Sequence, residues 1–236
     1  MKNVESICSR LHINYDDGKS RKFEGYMESV LEKNKHINLT AITDRDEFIR
    51  KHYVDSLLCA SSAEFRNANS VIDVGTGGGF PGIPLAIAFP EKEFVLIDSL
   101  NKRIRIINEL CENYGIDNVT ALHGRAEELG RNSNFRESFD ICVSRAVANM
   151  STLSEYCLPF VKIGGTFIAY KGPECSEELN NASNAIRMLG GKVMRIENPQ
   201  FDELPFEHTL IYINKAESTR SKYPRKAGTP SKEPIK

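Results

Sequence analysis

The 236-residue sequence lacks tryptophan, any Cys-x-x-Cys pair and any long apolar run. The six cysteines (Cys8, Cys59, Cys111, Cys142, Cys157 and Cys175) are scattered, which excludes the spacing of a zinc ribbon or a dithiol redox motif. No set of His and acidic residues stands at metal-ligand spacing, so no metal is expected. No hydrophobic stretch nears the roughly 20 residues that a membrane span requires, so no membrane partner is expected either. No secretory leader is legible, and reduced thiols in a cytoplasmic monomer are the simplest expectation. What is present suits a soluble globular chain: 40% hydrophobic residues over this length can bury a sizeable core without covalent staples.

Charge is unevenly placed. Residues 215–236 hold seven cations (Lys215, Arg220, Lys222, Arg225, Lys226, Lys232 and Lys236) against Glu217 and Glu233. That surplus of five leaves the body at −6, for a net charge of −1. An acidic body with a basic tail points to a polyanionic partner met through the tail, or to a disordered solubilising terminus.

Three regions follow from the patterning. Residues 1–66 read as a helical N-terminal cap: Phe23, Tyr26, Met27, Val30 and Leu31 form a stripe over residues 19–33. Asp44 is a good N-cap for a second helix running to about Ala60, with Glu47 three residues on. Over residues 67–214 the rhythm becomes α/β. Strands are expected at Val71-Ile72-Asp73-Val74, Phe94-Val95-Leu96-Ile97, Val119-Thr120-Ala121-Leu122 and Phe139-Asp140-Ile141-Cys142-Val143, then at 165–170, 192–196 and 208–213. Helices are expected at 84–88, 102–114, before Pro159 and at 177–189. This alternation predicts a doubly wound, mainly parallel sheet of seven strands. The last two strands leave no room for a crossover helix, so one antiparallel strand is expected at the end of the sheet. Residues 215–236 read as a mobile basic tail.

The run from Asp73 to Gly82 (Asp73-Val74-Gly75-Thr76-Gly77-Gly78-Gly79-Phe80-Pro81-Gly82) follows the first strand and opens a helix, the place where such sheets bind ligands. It can be parsed in two ways. Gly77-x-Gly79-x-x-Gly82 fits the dinucleotide fingerprint, which would make the chain a nicotinamide-dependent oxidoreductase. Asp73-x-Gly75-x-Gly77-x-Gly79 fits enzymes of S-adenosylmethionine, with a carboxylate at the strand end to meet the cofactor's ammonium. A pyrophosphate would be repelled there. Asp98, ending the second strand, can accept from both ribose hydroxyls of either cofactor, or cap the next helix. Ala126-Glu127, after the third strand, suits reading an adenine, or capping a helix.

After the fourth strand comes Ser144-Arg145-Ala146, where substrate-facing groups belong. An Asn/Asp-Pro-Pro-aromatic segment for exocyclic amines and a Pro-Cys nucleophile for pyrimidine carbon are both missing. Guanine N7 has an exposed lone pair and needs no general base; alignment and desolvation suffice. Arg145 could hold the cofactor carboxylate, stack on a base, or make a surface ion pair. Lys171, ending the fifth strand, could meet an RNA phosphate or simply be solvated. His52 and Asp55, at i and i+3, share a helix face and could pair at the cleft mouth. A methyltransferase acting on a small molecule or another RNA, and a non-enzymatic ribosome-binding protein, remain alternatives.

These segments, together with Asn38-Leu39-Thr40, His52-x-x-Asp55-Ser56-Leu57, Lys171-Gly172 and Tyr223-Pro224-Arg225-Lys226-x-Gly228-x-Pro230, resemble the RsmG family of bacterial 16S rRNA guanine-N7 methyltransferases, also called glucose-inhibited division protein B. The resemblance implies a Rossmann-like class I methyltransferase sheet and methyl transfer from S-adenosyl-L-methionine to a guanosine N7 in the 530 loop of 16S rRNA. The partner would be 16S rRNA or the small ribosomal subunit. It implies cofactor contacts by Gly75, Phe80, Ala126, Glu127 and Arg145. With the residues' own reading, the expected cofactor set is Asp73, Gly75, Gly77, Gly79, Phe80, Asp98, Ala126, Glu127 and Arg145, the last positioning the reactants. The expected RNA set is His52, Lys171, Lys222, Arg225 and Lys226.

Overall fold

The computed structural model describes residues 1–199 and 208–236. The first five apolar runs form parallel strands β1 (Ser70–Val74), β2 (Glu93–Asp98), β3 (Val119–His123), β4 (Phe139–Arg145) and β5 (Val161–Lys171). With β6 (Gly191–Glu197) and β7 (Thr209–Lys215) they make a sheet of order β3-β2-β1-β4-β5-β7-β6. The order reverses at β1, so a crevice opens beyond the carboxyl ends of β1, β2 and β4.

The last strand in the chain is antiparallel, as expected, but it does not lie at the end of the sheet. β7 is inserted between β5 and β6 and pairs antiparallel with both. Composition explains the order. Residues Thr209, Leu210, Ile211, Tyr212 and Ile213 are all buried, so β7 needs cover on both faces and both edges. β6, with Lys192, Arg195 and Glu197 along it and much of its length exposed, tolerates the edge.

The N-terminal cap comprises α1 (Lys2–Arg10), α2 (Asp17–Asn34), α3 (Arg45–Phe48) and α4 (Ala63–Arg66). Asp16 caps α2 by accepting from Lys19 N–H at 2.9 Å, and Asp44 caps α3 by accepting from Glu47 N–H at 2.8 Å. The helix expected to continue to Ala60 instead widens to a π-helix over Ile49–Val54 and tightens to a 3₁₀-helix over Leu57–Ser61. The crossovers are α5 (Gly82–Ala88), α6 (Asn101–Tyr114), α7 (Ala126–Leu129) and α8 (Met150–Cys157). Then come α9 (Ser176–Asn181) and α10 (Ser183–Met188), where a single helix was expected, and α11 (Thr229–Lys232) in the tail.

Alternation along the strands sorts the core into two layers. Val71, Ile141, Val143, Ile168, Tyr170 and Leu210 pack against Phe23, Tyr26, Val54, Ile83 and Ile107 of the cap, α5 and α6. Ile72, Val74, Cys142, Phe167, Ala169 and Ile211 pack against Leu153, Cys157, Ile186 and Tyr223. The cap therefore covers one face, and the tail docks on the other. Among the described residues, no helix is long and apolar enough to cross a membrane.

The tail is not the mobile segment that its composition suggested. Tyr223 is buried in the second layer. Arg131 donates to Pro224 O (2.7 Å), and Arg136 donates to Tyr223 O (2.9 Å) and Thr219 O (2.6 Å). Lys215, fully buried, donates to Leu158 O at 2.7 Å and pairs with Glu137 at 3.2 Å; burial lowers its pKa to about 8. Arg225 clamps the buried Glu155 from Nε (3.0 and 3.1 Å) and Nη2 (2.7 Å), while its own N–H adds a bond at 2.7 Å. Cations that look surplus in the sequence thus find carboxylates and carbonyls on the body.

Arg225→Ala strands a buried carboxylate and should cost about 3 kcal/mol, read as a lower urea midpoint. Arg225→Ala/Glu155→Gln should recover part of the loss. A single variant as stable as the wild type would show the clamp to be idle.

Candidate functional site

Beyond β1 the backbone passes through Gly75 (φ +74°), Gly77 (φ +61°) and Gly79 (φ +96°) before α5 begins. Left-handed values favour glycine, and at two positions space requires it too. A Cβ on Gly75 would lie 2.5 Å from Val147 Cγ2, and one on Gly79 would lie 2.5 Å from the Tyr26 hydroxyl. Tyr26 itself donates to Gly78 O at 2.9 Å, so the cap holds the loop from above.

Two carboxylates hold it from below. Asp73 Oδ2 accepts from Thr76 Oγ1 (2.7 Å) and Gly82 N–H (2.9 Å). Its Oδ1 is buried without a partner, and burial raises the carboxyl's pKa to about 6. Asp98 accepts from Gly77 N–H on Oδ2 (2.9 Å) and from Leu100 N–H on Oδ1 (2.8 Å). Gly82, the third glycine of Gly77-x-Gly79-x-x-Gly82, sits where the helix packs closely on the strands: a Cβ there would lie 2.9 Å from Asp73 Oδ2 and from Leu96.

Beside the loop lies an open crevice of about 110 Å³. Four of the expected cofactor residues line it: Gly75, Asp98, Ala126 and Glu127. Val74 and Ile97 add apolar surface, and Val147 and Tyr156 complete walls that the sequence reading missed. Val147 follows the substrate-facing strand end and could have been suspected; Tyr156 is indistinguishable in sequence from a helix residue of the core. Asp73, Gly77, Gly79, Phe80 and Arg145 do not line the crevice. They build what stands behind it. The wall fits a sulfonium nucleoside: a close-approach glycine at one end, the Asp98 carboxylate with unused lone pairs, an apolar slot and the Glu127 acceptor.

Arg145 ends β4 with the parity of Ile141 and Val143, so it points towards the cap. Its Nη1 donates to Asp55 Oδ2 (2.6 Å) and Lys51 O (2.9 Å), and its Nη2 donates to His52 Nδ1 (3.1 Å). The π-helix makes this possible: Asp55 N–H reaches back to Arg50 O, and Lys51 O, its partner in an α-helix, is given to Arg145. Since guanidinium only donates, His52 Nδ1 must accept, and Nε2–H then donates to Thr40 Oγ1 at 2.6 Å. The His52 ring stacks on Phe80 with centroids 4.2 Å apart and planes 4° from parallel. Asp55 Oδ1 also accepts from His208 Nδ1 at 2.9 Å. Burial pushes the Asp55 pKa up, but His208 and Arg145 outweigh it and hold the carboxyl below its ordinary value.

The expected RNA set divides. His52 is committed to Arg145, Thr40 and Phe80, and Arg225 to Glu155. Lys171 donates to Ala148 O (3.0 Å) and Glu178 (2.7 Å), and Glu178 also accepts from Met150 N–H (2.6 Å). Only Lys222 and Lys226 of the five are exposed. In each committed case a neighbour distant in sequence supplies the acceptor.

His52 and Asp73 respond to pH with opposite signs. Burial, then the charge of Arg145, lowers the His52 pKa from 6.5 to about 3. Its contribution to stability is complete above about pH 6.5 and lost as pH falls. Asp73, raised from 3.8 to about 6, contributes below about pH 3.8 and loses that contribution as pH rises through about 6. Relative to wild type, His52→Gln should gain stability on acidification from pH ~7 to ~4, and Asp73→Asn should lose it, both read from urea midpoints. Parallel trends would contradict the assignment.

A family model described as rRNA small subunit methyltransferase G matches residues 19–203. The protein named ribosomal RNA small subunit methyltransferase G from Clostridium tetani is 46% identical over 233 residues, 99% of this chain and 98% of its own length. Its namesake from Alkaliphilus metalliredigens is 47% identical over 229 residues, 97% of this chain and 96% of its own. Among solved structures, an O-methyltransferase from Bacillus cereus in complex with SAH aligns with a TM-score of 0.56 and 17% identity, covering 90% of this chain and 97% of that one. A SAM-dependent O-methyltransferase from Thermotoga maritima aligns with a TM-score of 0.54 and 15% identity, covering 81% and 72%. These two likenesses speak for the fold, a Rossmann-like methyltransferase sheet. With sheet, loop and full-length sequence similarity in agreement, the chain belongs to the rRNA small subunit methyltransferase G family.

Proposed function

We propose that this chain transfers the methyl group of S-adenosylmethionine to N7 of a guanosine in the 530 loop of 16S rRNA. Membership of the family over nearly the whole length carries this reading. When bound, the cofactor supplies a methyl group made electrophilic by its sulfonium. Gly75 lets the backbone approach that ligand closely, Asp98 accepts from ribose hydroxyls, and Glu127 accepts from the adenine amino group.

The N7 lone pair is free at neutral pH, so the chain's task is alignment and exclusion of water rather than proton transfer. Arg145 is a positioning residue in this scheme. Its inward bonds to Asp55, Lys51 and His52 fix the root of the loop over residues 146–149, whose Val147 packs over Gly75. Lys171, through Ala148 O, and Glu178, through Met150 N–H, fix the loop's far end. His52, Lys171 and Arg225 therefore serve the RNA site indirectly, and the exposed Lys222 and Lys226 meet phosphates. The target base must leave its stack to reach the crevice.

Mass mapping of rRNA from cells with and without the protein should show one methylated guanosine lost from the 530 loop; unchanged rRNA overturns the proposal. Lys222→Ala/Lys226→Ala should weaken RNA binding, reduce its salt slope by about 2 and leave cofactor affinity intact.

A further inference from the structure

The tail was expected to reach for RNA, yet its last residues touch the wall of the cofactor crevice. Gly228 N–H donates to Glu127 Oε1 at 2.8 Å. Glu127 is only 4% exposed, so this bond replaces water around a nearly buried carboxylate. With Oε1 committed to Gly228, the second oxygen is left for a ligand. Ser231 Oγ donates to Gly228 O at 3.1 Å and lies beside Tyr156, another wall residue. Pro230 O accepts from Thr152 Oγ1 at 3.0 Å. Thr152, Glu155 and Tyr156 lie three and four residues apart, on one face of α8, and all three meet the tail.

We infer that residues 227–236 buttress the wall of the cofactor site from behind, with Gly228 N–H as a positioning group for Glu127. Docking of the tail and binding of the cofactor are then mutually dependent. Coupling of this kind is reciprocal: whatever the tail adds to cofactor affinity, the cofactor adds to the docked tail. Lys226 and Lys232 sit on the same short segment, so an RNA phosphate held there is linked to the cofactor through Glu127. This inference rests on the crevice being the cofactor site.

The decisive measurement is calorimetric titration with S-adenosylhomocysteine in the absence of RNA. A chain ending at Lys226 keeps the Arg225–Glu155 clamp but loses Gly228, Pro230 and Ser231. Its Kd should rise about tenfold or more. Gly228→Ala in the full chain, strained at φ +83°, should move Kd in the same direction by less. Conversely, S-adenosylhomocysteine should slow tryptic cleavage of the full chain after Lys226 and Lys232. Should the shortened chain fail to fold, Gly228→Ala and the protection experiment decide. Unchanged Kd values without protection overturn the inference, since a tail used for RNA alone predicts that result. Asp98→Ala in the full chain separates the two levels. If it binds S-adenosylhomocysteine normally, the crevice reading itself fails. If it binds weakly while tail variants bind normally, only the tail's role fails.

Discussion

A carboxylate sealed beneath a glycine turn sets the terms for everything around it. Asp73 takes the hydroxyl of Thr76 and the first N–H of α5, so the turn is satisfied from inside. Burying that charge is unfavourable, as the raised pKa records. In exchange the loop has one shape. Asp98 does similar work one strand away, holding Gly77 while still standing on the crevice wall. A ligand meeting this surface finds the carboxylates of Asp98 and Glu127 with Arg125 beside them, Gly75 at one end and an apolar slot of Val74, Ile97 and Val147.

Two ion pairs, one fully buried and one with a buried carboxylate, register the appended segments onto the body. On one face Arg145 joins the end of β4 to Asp55 and the π-helix of the cap. On the other Arg225 joins the tail to Glu155 of α8. Such pairs give little net stability compared with apolar packing, because desolvation offsets their attraction. Their geometry is demanding, however, and each fixes its segment at one place on the body. The cap must therefore present Lys51 O, His52 and Asp55 together, and the tail must arrive with Gly228 against Glu127.

Much of this was legible beforehand because it depends on local periodicity. The strands were found where apolar residues cluster, and α2, α5 and α6 lie within about two residues of their expected bounds. Gly75, Asp98, Ala126 and Glu127 were placed at strand ends, and strand ends converge in any parallel sheet. The antiparallel sense of β7 followed from a connection too short for a crossover. Its insertion beside β5 did not, since that depends on which of two strands needs two covered edges. The expected RNA set includes His52, Lys171 and Arg225, whose partners Thr40, Arg145, Glu178 and Glu155 come into reach only through the fold.

The sequence by itself determined the alternation of strands and helices and the glycine turn with its two acids at the strand ends. These are properties of neighbours in the chain, and short-range sterics and hydrogen bonding settle them. Tertiary structure alone decided that Arg145 faces inward, that the cap offers it a π-helix carbonyl, and that a basic tail folds against the crevice. Each depends on acceptors 70 to 101 residues away, Glu155 for Arg225 and Glu127 for Gly228 among them. Packing, not sequence proximity, brings those charges within bonding distance.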